Sequence, residues 1–139
     1  MNEDIDSIIE SARTVAMVGV SARHESDSNL VARYLVAHGY SIIPINPTVE
    51  EILGRKAYPS LLDLKEPPDV VQIFRKPEAV PAIVEDAIAI GAKVVWMQLG
   101  IVHEDAAERA RQAGIIVVMD HCMKREHERI HNISHDQEW

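Results

Sequence analysis

The chain has one cysteine, Cys122, in 139 residues. No intrachain disulfide can form, so a reducing compartment, the cytoplasm, is the expected location. No apolar run approaches the ~20 residues that span a bilayer, and the opening MNEDIDSIIE is acidic from its third residue, unlike a signal peptide. A membrane is therefore not an expected partner. Excess positive charge is also missing: 14 Lys and Arg face 22 Asp and Glu, a formal net charge of -8. An acidic chain without a basic stripe repels a phosphate backbone, which argues against nucleic acid. A basic pocket for one small anion stays open. The last absence is a glycine. The stretch VAMVGVSARHESDSNLVARYL, Val15 to Leu35, opens like a nucleotide-binding βα turn. The dinucleotide fingerprint Gly-x-Gly-x-x-Gly brings backbone close to a pyrophosphate. Here Gly19 is followed by Val20-Ser21-Ala22-Arg23 and a polar loop to Asn29, with no second glycine.

What is present describes a globular fold. With 47% hydrophobic and 26% charged residues, the chain reads as one domain over residues 1–139, its core over about 12–128. Five apolar, β-branched runs of strand length stand out: Val15–Val20, Ser41–Ile45, Asp69–Phe74, Lys93–Met97 and Ile115–Met119. Helical periodicity follows the first, third and fourth. Three of these helices stop at His38-Gly39, Ile90-Gly91 and Ala113-Gly114, where glycine supplies the left-handed residue past a helix end. Strands rich in Val and Ile on both faces, alternating with helices, predict an α/β, Rossmann-like, doubly wound sheet of five mainly parallel strands with helices on both faces. INPTVEEILGRKAYPSLLDLKEPP reads as a long crossover loop with one helical turn near Ser60 to Leu64. A helix over Asp4 to Ala12 and a polar one from about His121 complete the expectation.

Ligands of such sheets bind outside the carboxyl ends of the strands. Those ends read Gly19 to Arg23, Ile45-Asn46-Pro47, Phe74-Arg75-Lys76, Gln98-Leu99-Gly100 and Asp120-His121-Cys122. Together they offer small residues, cations, carboxamides and one thiol, a set suited to an anionic, nucleotide-like ligand. An NAD site normally places Asp or Glu at the end of the second strand, for the ribose diol; this chain has Asn46-Pro47. Other signals have plainer explanations. His127-Glu128-Arg129-Ile130-His131 matches the zinc-protease pattern, with His135 four residues on, but a solvated, polar terminal helix accounts for it. Cys122, at a strand end and helix start, reads equally as an exchangeable thiol or a buried structural one. Trp96, Met97, Tyr34 and Tyr40 read as packing residues.

The runs VAMVGVSA, VARYLVAHGYSIIPINP, EILGRKAYPSLLDL, DVVQIFRKPEAVPAIVEDAIAIGAKVVWMQLG and AGIIVVMDHCMKREH resemble the small stand-alone CoA-binding domain proteins. These are similar in fold to the CoA-binding domain of the succinyl-CoA synthetase alpha subunit. The resemblance covers roughly residues 12 to 128 and implies a coenzyme A or acyl-CoA ligand. It implies that Gly19, Ser21, Ala22 and Arg23 face the pyrophosphate, aided by the following helix N-terminus. Asn46 and Pro47 would lie near the adenosine end, Phe74 and Arg75 beside the nucleotide, and Gln98 and Gly100 along the pantetheine arm. Cys122 would sit where a thiol could meet the CoA sulfur. Two departures remove charge near phosphates: Thr48 stands where the family often has lysine, and Ser26 and Asp27 replace basic and proline residues. Either affinity falls, or Arg23, Arg55 and Lys56 compensate. The related synthetases place their phosphorylated histidine in additional domains, so a non-catalytic carrier, sensor or regulator is expected. The alternatives are thiol exchange through Cys122 and an NAD-dependent enzyme.

Overall fold

The computed structural model describes residues 2–134. Its elements are α1 (Asn2–Ser11), β1 (Thr14–Val18), α2 (Asp27–Ala37), β2 (Ser41–Ile45), β3 (Glu51–Ile52), β4 (Arg55–Lys56), β5 (Val70–Ile73), α3 (Val80–Ala89), β6 (Val94–Met97), α4 (Glu104–Gln112), β7 (Ile116–Val118) and α5 (Met123–His131). β2, β1, β5, β6 and β7 form one sheet in that order, and every neighbouring pair is parallel. The five-stranded, doubly wound α/β fold is therefore present. Burial explains it: Val15 and Met17 face a core built with Ile5, Ile8 and Ile9 of α1, Val31 and Leu35 of α2 and Met123 of α5. Ala16 and Val18 face the opposite core, with Val80, Ile83 and Val84 of α3 and Ala106, Ala107 and Ala110 of α4. Strands buried on both faces need continuous apolar runs, and this sequence supplies them.

The three glycine stops behave as expected: His38, Ile90 and Ala113 close their helices, and Gly39, Gly91 and Gly114 follow at φ +93°, +77° and +87°. Three expectations change. Asn29 belongs to α2 rather than to the loop, because Ser26 caps the helix by accepting from Asn29 N at 3.2 Å. The long crossover contains a hairpin, β3 against β4, turned at Leu53 and Gly54, both at positive φ as a tight hairpin twist requires. From there Tyr58 bridges to Ile45, and its N–H donates to Pro44 O at 2.9 Å. α5 is not a solvated helix: Met123, Lys124, His127 and Glu128 are buried. Its buried polar groups are paired, Lys124 Nζ with Glu128 Oε2 at 2.8 Å and His127 Nδ1 with Tyr34 Oη at 2.7 Å.

Candidate functional site

Strand order reverses at the β1–β5 boundary: the chain steps from β1 outward to β2, then returns beyond β1 to β5, β6 and β7. At that switch point the crossovers diverge and leave a crevice at the carboxyl ends. The turn after β1 is pinned on both sides. Gly19 N donates to Ile45 O at 3.0 Å, and Phe74 N donates to Val18 O at 2.8 Å. Gly19 has φ +88°, and a Cβ there would stand 2.6 Å from both Phe74 O and Arg75 Cδ. Its backbone is approached closely by Arg75 of the same chain, so the glycine serves the chain's own packing at the switch point.

The loop beyond Gly19 is shaped by its own hydrogen bonds. Ser21 N donates to Ser28 Oγ at 2.9 Å, Arg23 N donates to Ser21 Oγ at 3.0 Å, and Asn29 Nδ2 donates to Ser21 O at 2.9 Å. Ala22 is exposed on this loop. Arg23 points into solvent and pairs with Glu25 at 2.9 Å. A hydrogen bond to its own backbone, then Arg23, holds the Glu25 carboxyl below its ordinary range. Asn46 clasps the end of β2: Nδ2 donates to Val20 O at 3.0 Å, and Oδ1 accepts from Thr48 N and Thr48 Oγ1 at 2.8 and 2.7 Å. Thr48, where a lysine was the family expectation, completes that turn. Pro47 borders a separate depression, of about 650 Å³, with Lys56 and Pro59.

A cleft of about 530 Å³ opens beyond β5, β6 and β7, beside α2. Phe74, Arg75, Gln98 and Cys122 line it, so four of the sequence-selected residues come together there. Leu30, Val31, Leu99 and Ile101 add apolar wall, and Asp27, Lys76, Lys124 and Arg125 add charge. With Lys124 committed to Glu128, three cations, Arg75, Lys76 and Arg125, stand against the Asp27 carboxylate, within a chain of formal charge -8. Such a reversal of sign concentrates a positive field where low-dielectric walls surround it. Gly19, Ser21, Ala22, Arg23, Asn46, Pro47 and Gly100 lie outside this lining. Gly100, at φ +86°, shapes the rim instead, donating its N–H to Asp120 Oδ1 at 2.7 Å. Lys124 and Arg125 escaped selection, although Lys124 lies in the DHCMK run; only the docking of α5 reveals that its first turn faces the cleft. Cys122 is a free, buried thiol immediately before α5.

Among the described residues the His-Glu-x-x-His pattern belongs to no cluster that could hold a metal ion. His127 and His131 rings lie 4.3 Å apart, and His127 Nδ1 is engaged by Tyr34. His135 lies outside the described residues. No described helix is long and apolar enough to cross a membrane.

With the switch-point cleft in place, comparison with known proteins becomes informative. The profile of the CoA binding domain family matches residues 13–128, from the start of β1 into α5. The chain belongs to that family. As a member of the CoA-binding domain family it is 38% identical over 124 residues to YneT, an uncharacterized protein of Bacillus subtilis strain 168, covering 89% of this chain and 92% of that one. A solved structure of a hypothetical protein from Pyrococcus horikoshii OT3 superimposes with a TM-score of 0.89 at 46% identity, over 93% of this chain and 91% of that one. Acetate–CoA ligase (ADP-forming) I of Archaeoglobus fulgidus is 26% identical over 121 residues, which span 80% of this chain but 18% of the ligase. This CoA-binding domain is thus homologous to one domain-sized part of a larger CoA enzyme.

Proposed function

We propose that the protein binds coenzyme A or an acyl-CoA along this carboxyl edge, as a non-catalytic carrier, sensor or regulator in the cytoplasm. The observation that carries the reading is the cleft: Arg75, Lys76 and Arg125 against the single Asp27 carboxylate, beside an apolar wall, a carboxamide and a thiol, in a chain of the CoA-binding domain family. Phosphates would meet the Gly19–Arg23 loop and the N-terminus of α2, whose first-turn N–H groups attract anions. Arg75, Lys76 and Arg125 would supply the remaining positive charge, and the pantetheine arm would run past Phe74 and Gln98 toward Cys122. The lining offers charge, hydrogen bonding and apolar contact, which is the inventory of a binding site. NAD is disfavoured because β2 is followed by Asn46, whose amide is engaged on both atoms, by Val20 O and by Thr48 N, with no carboxylate for a ribose diol.

Calorimetric titration with CoA, dephospho-CoA, acetyl-CoA and NAD tests this. Wild-type protein is expected to bind CoA at micromolar strength or tighter and to ignore NAD. The exposed-cation variant Lys76→Ala/Arg125→Ala is expected to lose about tenfold or more, since hydrogen bonds to charged groups are worth about 1.5–3 kcal/mol each. NAD binding as tight as CoA, or CoA binding indifferent to both cations, would refute it. The position of Cys122 on the cleft wall favours one second reading, thiol exchange. Its thiolate would attack a CoA disulfide, giving a Cys122–CoA mixed disulfide and releasing one CoA thiolate. Mass spectrometry after exposure to CoA disulfide decides it: a CoA adduct on Cys122 supports exchange, and an unmodified chain that binds CoA reversibly supports the carrier reading.

A further inference from the structure

Gln72 occupies the middle strand of the sheet, β5, with Met17 and Trp96 in register on its two sides. It is fully buried. A carboxamide in such surroundings needs partners for both of its ends. Its Nε2 has one, donating to Gln98 Oε1 at 3.0 Å. Its Oε1 is buried with no hydrogen-bond partner among the described residues. An apolar side chain of similar length would fill the position without that penalty. Core packing therefore does not explain Gln72, and its one side-chain hydrogen bond leads to the cleft.

Gln98, 7% exposed, lines the cleft wall. A free glutamine at a rim can turn its amide over and offer either an acceptor or a donor. In the observed orientation Gln72 donates to that oxygen, which leaves Gln98 Nε2 as the group for an occupant. The cleft then presents an N–H donor, whose complement is a carbonyl oxygen. This step rests on the CoA reading, because the pantetheine arm carries amide carbonyls that the ADP portion lacks. We propose that Gln72 is a positioning residue, holding Gln98 as a donor to a carbonyl of the pantetheine arm.

Titration of CoA and ADP against wild type, Gln72→Met, Gln98→Met and the double variant, each with its melting temperature, tests the proposal. Gln72→Met is expected to melt no earlier than wild type, to bind ADP unchanged, and to bind CoA about five- to tenfold more weakly. Gln98→Met is expected to show the same selective loss, and the double variant to be no weaker than Gln98→Met alone, because Gln72 acts through Gln98. A merely structural role would move ADP and CoA together. Unchanged CoA affinity in Gln72→Met, equal losses for CoA and ADP, or losses that multiply in the double variant would each overturn it. Gln98→Met changes a rim residue, so unchanged CoA affinity there overturns the proposal even where the core substitution unfolds the chain. Wild-type protein that binds no CoA would fail differently, removing the CoA reading itself.

Discussion

Acid is expected to destabilise this protein through one buried imidazole. His127 is 7% exposed and sits among α1, α2 and α5, with its Nδ1 2.7 Å from the Tyr34 hydroxyl. Burial, His131 and His38 push its pKa from 6.5 down to about 4, against a smaller opposing pull from Glu128. Burial also raises the Tyr34 phenol far above its ordinary range, so the phenol keeps its proton beside the imidazole. Above pH 6.5 neither folded nor unfolded chain protonates this group, and its contribution to stability is full. As pH falls from 6.5 toward 4 the unfolded chain takes up a proton that the folded chain refuses, and stability drops. The full difference corresponds to about 3 kcal/mol at 1.36 kcal/mol per pH unit, a large share of the roughly 5–15 kcal/mol that holds a domain folded. Urea unfolding of wild type and His127→Gln at pH 7.5, 5.5 and 4.5 measures it. Wild type is expected to lose about 2.5 kcal/mol more than the variant between the extremes. Parallel losses in the two proteins, or an imidazole resonance of His127 titrating near 6.5, would refute the reasoning.

Two further perturbations follow from packing. Gly19→Ala places a Cβ 2.6 Å from a backbone oxygen at φ +88°, so urea unfolding is expected to show a loss of about 2–4 kcal/mol; an unchanged midpoint would mean that the switch-point turn is looser than described. Glu128→Gln strands the buried Lys124 ammonium, at a cost of about 3–5 kcal/mol, whereas Lys124→Met/Glu128→Leu removes both charges and is expected to lie close to wild type. If the double replacement is as costly as the single one, the ion pair is not what matters there.

The sheet was legible because its signals are local. Val-rich runs from Val15, Val70 and Val94, and glycines just past His38, Ile90 and Ala113, place strands and helix ends without knowledge of partners. The carboxyl-edge segments followed from topology alone, and four of their residues meet in the cleft. Where the reading fell short, the elements are too short to show a pattern or their buried contacts are not announced by residue type. Two-residue strands such as Glu51-Ile52 and Arg55-Lys56 are too short to show alternation. α5 looked solvated because its buried face is mostly polar; Lys124 finds Glu128, and His127 finds Tyr34 across 93 positions. Gln72, a single polar residue in an apolar run, gave no local sign of its bond to Gln98, 26 residues away. Gly19 and Asn46 also have roles within the chain that the sequence did not show, against Arg75, Val20 and Thr48.

The Tyr58 segment bears on what the outermost strands of the sheet offer to a further strand. An open sheet exposes backbone donors and acceptors along its outermost strands, which invite further strands to add on. On the β2 side that invitation is withdrawn twice: Pro44 has no N–H to offer, and the bonds from Tyr58 N to Pro44 O and from Asn46 N to Tyr58 O fill the neighbouring positions. On the other side β7 is three residues long, Ile116–Val118, a brief template even though Ile116 is 43% exposed. Growth by edge-to-edge pairing thus meets proline and filled positions at one margin and a three-residue strand at the other.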